Sequence, residues 1–110
     1  MMYRKISNIA EKELIEKELG VTYKYPKLYT IHSVIDGSEE STLSVVTSEN
    51  PDQISYAIWG ILPTSFTDEW SEFQKAFSTL SVHRDDLNSN RIFQEPYRHR
   101  RCIIIITGFF

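Results

Sequence analysis

The side chains best suited to covalent or metal chemistry are one cysteine, Cys102, and three histidines, His32, His83 and His99. No two histidines stand at a metal-ligand spacing on one predicted element, so the sequence predicts no metal site and no cofactor. Cys102, His83 and Asp85 could act as nucleophile, base and orienting acid, but nothing in their spacing requires it. Because Cys102 heads a strongly apolar run, we expect it to be a small buried hydrophobic residue.

Positive charge is concentrated in residues 91–101, which hold four arginines and one glutamate. This basic segment has a net charge of +3, so the rest of the 110-residue chain carries −6 within a total of −3. Such a cluster on an acidic body suits the binding of nucleic-acid phosphates, because neutralising phosphates releases counterions. It equally suits a solvated turn whose arginines pair with nearby carboxylates. Charge alone leaves both interpretations open.

Three segments of the chain follow a pattern known from one protein family. They are Met-Met-Tyr-Arg (residues 1–4), Ile-Trp-Gly-Ile-Leu-Pro (residues 58–63) and Arg-Arg-Cys-Ile-Ile-Ile-Ile-Thr-Gly-Phe-Phe (residues 100–110). In order and approximate spacing they resemble the SOS-response-associated peptidase (SRAP) family. That family's pattern runs Met-Cys-x-Arg, Trp-Gly-Leu-x-Pro, Asn-Ala-Arg-x-Glu and Arg-Arg-Cys-Leu-x-Pro-x-x-Gly-Phe-Tyr-Glu-Trp. The resemblance covers the N-terminal portion of a typical member.

The resemblance implies a role in the response to DNA damage. Family members remove the initiator methionine, which leaves cysteine as the N-terminal residue. The amine and thiolate of that cysteine close a thiazolidine ring on the aldehyde of an abasic site, and this crosslink shields the site from strand breakage. An asparagine and an arginine position the sugar and the phosphates, while a glutamate and a histidine move protons. The implied partner is therefore single-stranded DNA with abasic sites.

This chain departs from the family pattern at its chemical positions. Met2 stands where the family has its cysteine, so residue 2 supplies no thiol. Ser81 stands where the asparagine is expected, and it keeps a hydroxyl but lacks the two amide donors. The α-amine of Met1, whose ordinary pKa is about 7.7–8.0, can still form a reversible imine with an aldehyde. The candidate catalytic residues are thus Met1, Met2 and Ser81, and we expect defective crosslinking.

The family pattern also marks candidate DNA-binding residues. Arg4 matches the arginine beside the active cysteine and can bind a phosphate through its guanidinium group. His83 or Arg84 stands at the arginine of the asparagine motif, and Arg91 opens the basic segment. Phe66 occupies the position of a family tryptophan, where it either stacks on a base or packs in the core.

Two helices are expected to position these residues. The first covers residues 8–20, where Asn8 can cap the helix and Gly20 can end it. Its apolar residues recur at helical spacing: Ala10, Leu14, Ile15 and Leu19. The second helix covers about residues 67–77, with Thr67 as its cap. An aromatic stripe on its inner face favours packing over ligand binding: Trp70, Phe73 and Phe77.

Four runs rich in β-branched and aromatic residues predict strands at residues 29–35, 42–47, 55–62 and 101–107. The last run contains four consecutive isoleucines, which is typical of a strand buried on both faces. Trp59, within the third run, is expected in the core. Strands and helices do not alternate regularly, so the sequence predicts an α+β fold. We expect a mixed, mostly antiparallel sheet, or an open barrel-like core, with two helices.

Length and composition indicate a single small domain over residues 1–110, of which 41% are hydrophobic. The longest apolar run is far shorter than the roughly 20 residues that span a membrane. The single cysteine fits a reducing compartment, so we expect a cytoplasmic protein.

The alternative to DNA binding is a non-catalytic module that binds another protein or forms a homo-oligomer through residues 101–107, whose apolar side chains would form a large exposed patch.

Overall fold

The computed structural model of the chain describes residues 4–63 and 66–110. Within these residues there are seven strands, three α-helices and three short 3-10 helices. The strands are β1 (Lys5–Asn8), β2 (Thr22–Tyr23), β3 (His32–Asp36), β4 (Thr42–Thr47), β5 (Asn50–Ile58), β6 (Cys102–Ile104) and β7 (Gly108–Phe109). The helices are α1 (Lys12–Leu19), α2 (Trp70–Ala76) and α3 (Arg91–His99). None of these helices is long and apolar enough to cross a membrane.

The strands lie in two sheets, with the strand orders β3-β1-β7 and β2-β5-β4-β6. Pairing is antiparallel except between β2 and β5, which are parallel. Over the described ranges, neither sheet closes into a barrel. The predicted α+β fold is therefore confirmed, with three helices where the sequence predicts two.

Two clusters of buried side chains hold these layers together. The first joins the two sheets and consists of Ile6, Ile35, Leu43 and Val45. The second lies between α1 and the larger sheet and consists of Ile15, Tyr23 and Ile54. Ile54 has no exposed surface, so its truncation to alanine should cost about 2–5 kcal/mol of stability.

The helix α1 begins later than predicted because Asn8 belongs to β1. Asn8 pairs with His32 across the sheet, and its buried side chain cannot cap a helix. Glu11 occupies the N-cap position without a side-chain hydrogen bond. The predicted end is confirmed: Gly20 has a φ of 69°, which a residue without a β-carbon adopts readily. Its N–H donates to the Glu16 carbonyl at 2.9 Å.

The helix α2 lies within the predicted range of residues 67–77, but its N-cap is Glu69 and not Thr67. Trp70 is buried. The Phe73 ring lies 6.4 Å from that of Phe77, centroid to centroid. The aromatic stripe therefore serves packing, as its spacing predicts.

The helix α3 is absent from the sequence-based prediction. Its range falls in the basic segment, and Pro96 in its interior argues against a helix because proline lacks an N–H donor. The helix forms because Asn90 caps it, with Oδ1 accepting the Ile92 N–H at 3.2 Å. Phe93 on its inner face is buried in the core.

The predicted strand at residues 42–47 coincides with β4, and the predictions at 29–35 and 55–62 overlap β3 and β5. The prediction for residues 101–107 is partly wrong. The strand β6 is shorter, lies at the edge of the larger sheet and has exposed residues. Ile103 and Ile104, whose side chains point to opposite faces of the sheet, are 66% and 46% exposed, so this strand is not buried on both faces.

Candidate functional site

Arg4 lies where three segments of the chain meet. Its carbonyl accepts the N–H of Gly37, which directly follows β3, at 2.8 Å. The carbonyl of the next residue, Lys5, accepts the Phe110 N–H at 3.1 Å, at the end of β7. The start of β1 is therefore fixed from both sides of its sheet, and the Arg4 side chain is exposed there.

Gly37, which binds this end of β1, also contacts Trp59, whose ring packs directly against the glycine. The Trp59 Nε1–H donates to the Leu80 carbonyl at 2.8 Å. Leu80 is followed by Ser81, which is half-buried. An unbroken set of contacts thus connects the first strand to the serine. We call this group of residues the N-terminal site: Arg4, Gly37, Trp59, Leu80 and Ser81.

A network of hydrogen bonds fixes the chain just before Ser81. The Thr79 N–H donates to Gln74 Oε1 at 2.7 Å, and the Thr79 hydroxyl oxygen accepts the Ile61 N–H at 2.7 Å. Gln74 Nε2 donates to the Ile61 carbonyl at 3.1 Å. Gly60, with a φ of 116°, allows this close approach, because a β-carbon there would lie 3.2 Å from Gln74 Nε2. The segment after β5 is thereby held against the segment that carries Ser81.

One carboxylate lies close to the N-terminal site. Asp36 Oδ1 accepts the hydroxyl of Ser38 at 2.7 Å and its backbone N–H at 2.9 Å. These hydrogen bonds lower the pKa of Asp36, and the positive charges of Lys5 and Arg4 lower it further. Asp36 therefore stays ionised near neutral pH and offsets part of the positive charge at the start of β1.

The contacts described above involve Arg4 and residues within 58–63 and 100–110, which belong to the segments that carry the three sequence motifs. The family model of the SOS response associated peptidase (SRAP) matches residues 2–110. The chain belongs to the SRAP family. No curated protein and no solved structure matches it. Membership associates the chain with the SOS response to DNA damage at the level of the family.

Of the three catalytic candidates in this SRAP chain, Met1 and Met2 lie outside the described residues. Ser81 lies in the N-terminal site, two contacts away from Gly37 through Leu80 and Trp59. The sequence alone does not show that Trp59 connects Gly37 to the segment that carries Ser81. The catalytic roles of Met1, Met2 and Ser81 stay predictions.

The candidate DNA-binding residues occupy separate places in the SRAP chain. Arg4 belongs to the N-terminal site, His83 and Arg84 lie at the start of a short 3-10 helix, and Arg91 begins α3. All four side chains are exposed. Within residues 4–63 and 66–110, neither Arg4, Arg84 nor Arg91 forms an ion pair. Their charges are therefore available to an anion.

Two aromatic residues named by the family pattern pack inside the protein. Trp59 is half-buried against the first core cluster, as the sequence predicts. Phe66 is also half-buried, with its ring edge-to-face against Phe73 at a centroid distance of 5.1 Å. This packing favours the core interpretation of Phe66, and its stacking on a base stays a prediction.

The four arginines of the basic segment divide into two pairs. In the first pair, Arg100 forms an ion pair with Glu95, and the Arg101 guanidinium lies 4.3 Å from the centroid of the Tyr97 ring. The second pair is exposed and forms no ion pair within the described part of the chain: Arg91 and Arg98. Half of the cluster therefore stabilises the end of α3, and half is free to attract phosphates.

Cys102 is exposed, so the prediction of a buried hydrophobic residue is wrong. The residue begins the edge strand β6, where one side of the strand has no neighbour. It lines a cavity of about 240 Å³ with His99 and Glu49, whereas His83 and Asp85 do not line it. Within the described ranges, no group of three His, Cys, Asp or Glu side chains could hold a metal ion.

Sequence reasoning misses a polar cavity of about 390 Å³ beside β1. Its lining includes amide, hydroxyl and imidazole groups from Asn8, Tyr29, His32, Ser44 and Tyr56. The Tyr29 hydroxyl donates to the Ala10 carbonyl at 2.6 Å. Burial raises the pKa of Tyr29 to about 12, and the neighbouring Tyr23 and Glu11 contribute. The only signal in the sequence is the number of tyrosines, which does not show that they converge.

Proposed function

We propose that this chain binds single-stranded DNA, including strands with abasic sites, at the N-terminal site, and that it forms no stable crosslink. The observation that supports this is the run of contacts from Arg4 through Gly37 and Trp59 to Leu80. These contacts link the start of β1 to the segment that carries Ser81. In the SRAP pattern, the cysteine stands two residues before Arg4 in the sequence, and the asparagine stands at the position of Ser81.

Arg4 is the phosphate-binding group of the proposal. Its backbone is held by the Gly37 hydrogen bond, so its exposed side chain extends from a fixed point. A guanidinium can donate two parallel hydrogen bonds to a phosphate, with geometry that an ammonium lacks. The carboxylate of Asp36, which lies nearby, could compete with a phosphate for Arg4, but it accepts hydrogen bonds from Ser38. Arg4 forms no ion pair with Asp36, so its guanidinium is available for direct contact with a phosphate.

Further positive charge lies outside the N-terminal site. Arg84, Arg91 and Arg98 are exposed, with no ion pair in the described ranges. Each one that neutralises a phosphate releases a counterion and adds to the salt dependence of binding. In this proposal they hold the strand, and Arg4 sets its position at the N-terminal site.

Met2 limits the covalent chemistry that this chain can carry out on the aldehyde of an abasic site. A thiazolidine needs an amine and a thiol on one residue, and the thioether of Met2 has no S–H to add to an aldehyde. The α-amine of the N-terminal residue can still attack the aldehyde carbon and lose water to give an imine. Water reverses that reaction, so we expect any covalent contact to be transient.

Fluorescence anisotropy with a labelled single-stranded oligonucleotide, with and without a tetrahydrofuran abasic analogue, tests this function. Affinity should fall as salt rises, with each phosphate contact adding about −0.7 to the slope of log K against log salt. Arg4→Ala should reduce the magnitude of that slope by about 0.7. Lys17→Ala, which removes an exposed positive charge from α1, is the matched control and should leave the slope unchanged. Salt-independent binding, or equal effects of the two variants, would contradict the proposal.

A further inference from the structure

The polar cavity beside β1 has a buried inner part and an exposed rim. Asn8 and Ser44 are buried, and Tyr29 and Tyr56 are half-buried. His32 at the rim is exposed, so a ligand can enter from solvent. The volume of about 390 Å³ lies within the range of about 300–1,000 Å³ that small-molecule sites occupy. The cavity is therefore large enough to hold a small ligand.

Asn8 contributes a hydrogen-bond acceptor to this cavity. Its side chain is only 4% exposed, and Nδ2 donates to the Ile105 carbonyl at 3.2 Å. Oδ1 lies 3.2 Å from the Tyr29 hydroxyl oxygen, but that hydroxyl has one proton and directs it to the Ala10 carbonyl at 2.6 Å. Exchanging the two ends of the amide is no alternative, because Oδ1 would then face the Ile105 carbonyl. Within the described ranges, Asn8 Oδ1 therefore has no donor.

Ser44, in β4, contributes a hydrogen-bond donor. It is 7% exposed, and its hydroxyl oxygen accepts the Tyr23 hydroxyl at 3.0 Å. The serine hydroxyl also has a proton of its own, for which residues 4–63 and 66–110 provide no acceptor. Ile105 links the two buried groups, because its N–H donates to the Ser44 carbonyl and its carbonyl accepts Asn8 Nδ2. Buried polar groups are rarely left without partners, so one acceptor and one donor remain for a ligand.

The rings of Tyr29 and Tyr56 form the aromatic part of the lining. Each packs against the buried ring of Tyr23, at centroid distances of 5.0 Å and 5.8 Å. The Tyr56 hydroxyl donates to the Tyr25 carbonyl at 3.1 Å, which fixes this ring further. Flat heterocyclic rings stack on aromatic side chains of this kind.

The lining carries no strong charge. Among the described residues that line the cavity there is no Asp, Glu, Lys or Arg. An ionised ligand would lose water of hydration there without meeting an opposite charge, which is costly. A sugar is neutral, but it brings many hydroxyl groups to one unpaired acceptor and one unpaired donor. A flat ring whose edge has an N–H beside an acceptor matches both the unpaired groups and the aromatic lining, and the Watson–Crick edge of a nucleobase has this pattern.

We propose that this cavity binds one nucleobase, with Asn8 Oδ1 accepting an N–H of the base and the Ser44 hydroxyl donating to the neighbouring acceptor. The base belongs either to a free nucleoside or to a DNA strand, and the recognition chemistry is the same for both. None of the residues of the N-terminal site is among the described residues that line the cavity. The site also needs no phosphate, so it is independent of the proposed function.

Titration of the isotope-labelled chain with thymidine, followed by two-dimensional NMR, tests this site. Thymidine at millimolar concentration should shift the backbone amide signals of Tyr29, Ser44 and Tyr56. N3-methylthymidine, in which a methyl group replaces the N–H of the base, should bind at least about tenfold more weakly. 2-Deoxyribose, which lacks the base, should cause no shift. Absence of shifts with thymidine, or equal affinities for thymidine and its methylated form, would overturn the proposal.

A substitution tests the same contact from the side of the protein. Ser44→Ala removes the donor and should weaken thymidine binding about tenfold. Ser55→Ala is the matched control, because Ser55 lies in the adjacent strand β5, opposite Val45, and does not line the cavity. Circular dichroism should show the native fold for both variants. Unchanged affinity in Ser44→Ala would rule out its contact with the base, whereas Arg4→Ala should leave thymidine binding unchanged even if the N-terminal site binds DNA.

An oligonucleotide made only of thymidine units identifies the source of the base. If the cavity accepts a base from a strand, the oligonucleotide should shift the same amide signals, and free thymidine should compete with it. If the cavity accepts a free nucleoside, thymidine alone should shift them. Either result supports the nucleobase site, and shifts with neither probe would contradict it.

Discussion

The indole ring of Trp59 lies directly over Gly37, so that a β-carbon on Gly37 would stand 2.9 Å from Trp59 Cδ2 and 3.0 Å from Cε3. No side chain other than hydrogen fits that space without displacing the ring. Because the Gly37 N–H also donates to the Arg4 carbonyl, any shift of this glycine moves the start of β1. The pair therefore connects packing in the core to the geometry of the N-terminal site.

We expect Gly37→Ala to lower the free energy of unfolding by about 1–3 kcal/mol, the usual cost of overpacking a tight contact. In a Trp59→Leu background, the same substitution should cost less, because the clashing ring is gone. Urea denaturation of the single and double variants measures this coupling.

Gly20→Ala provides the control for that cycle. Gly20 has a φ of 69°, and a β-carbon there would have no neighbouring heavy atom within 4 Å, so alanine strains the backbone without touching a neighbour. Its cost should be the same in the native and Trp59→Leu backgrounds. If Gly37→Ala also lowers the free energy of unfolding by the same amount in both backgrounds, the Trp59 ring is not the reason that residue 37 must be glycine.

Asn8 ties β1 to the chain that follows β6. It is only 4% exposed, and its Nδ2 donates to the Ile105 carbonyl at 3.2 Å. Asn8→Ala leaves a carbonyl without this donor, so the free energy of unfolding should fall by about 1–3 kcal/mol. Asn88→Ala, at an exposed position, should change it by less than about 0.5 kcal/mol. Similar values for the two variants in chemical denaturation would refute the role of Asn8.

Local sequence signals predict correctly those elements that depend mainly on interactions between residues near each other in the sequence. The strand β4 matches its predicted range, and Gly20 ends α1 as its conformational freedom predicts. Asn8 shows the limit of this reasoning, because its type suits a helix cap while its pairing with His32 and its burial place it in a strand. The helix α3 is missed although Asn90 can cap it, because Pro96 in its interior argues against a helix, and the burial of Phe93 that offsets Pro96 is a tertiary effect.

The candidate site is predictable as a set of motifs but not as a set of contacts. The sequence identifies Trp59 and Ser81 by family pattern, yet the hydrogen bond from Trp59 to Leu80 spans 21 positions and depends on how β5 and α2 pack. Cys102 is wrongly predicted as buried because an apolar run looks the same at the edge and in the centre of a sheet. The hydrophobicity of a strand does not show whether it is hydrogen-bonded to a neighbouring strand on each of its two sides.

Tyr29 makes stability sensitive to alkaline pH. Burial raises its pKa from 10.0 to about 12, so between these values the unfolded chain loses a proton that the folded chain keeps. The contribution of Tyr29 is therefore complete below pH 10 and lost as the pH rises toward 12. Tyr29→Phe should flatten the fall of the unfolding free energy in that window, whereas Tyr25→Phe, at an exposed ring, should not. Equal slopes for the native chain and Tyr29→Phe would contradict this assignment.

Met2 determines how the chain reacts with an abasic site. We expect no adduct that survives heating in denaturant when the chain is incubated with single-stranded DNA carrying an abasic site, because residue 2 has no thiol to close a ring. Borohydride reduces imines, so its presence should trap an adduct if the α-amine reaches the aldehyde. Denaturing gels with and without borohydride measure both outcomes.

Restoring the family residues tests the same reasoning in the opposite direction. Met2→Cys supplies the thiol and, being small, favours removal of Met1, so some heat-stable adduct should form without borohydride. The yield should stay low, because Ser81 has one hydroxyl where an asparagine offers two amide donors and a longer reach. Adding Ser81→Asn should raise the yield, while Ser89→Asn, at an exposed serine on another loop, should not. A heat-stable adduct from the unaltered chain without borohydride would show that some other group replaces the thiol.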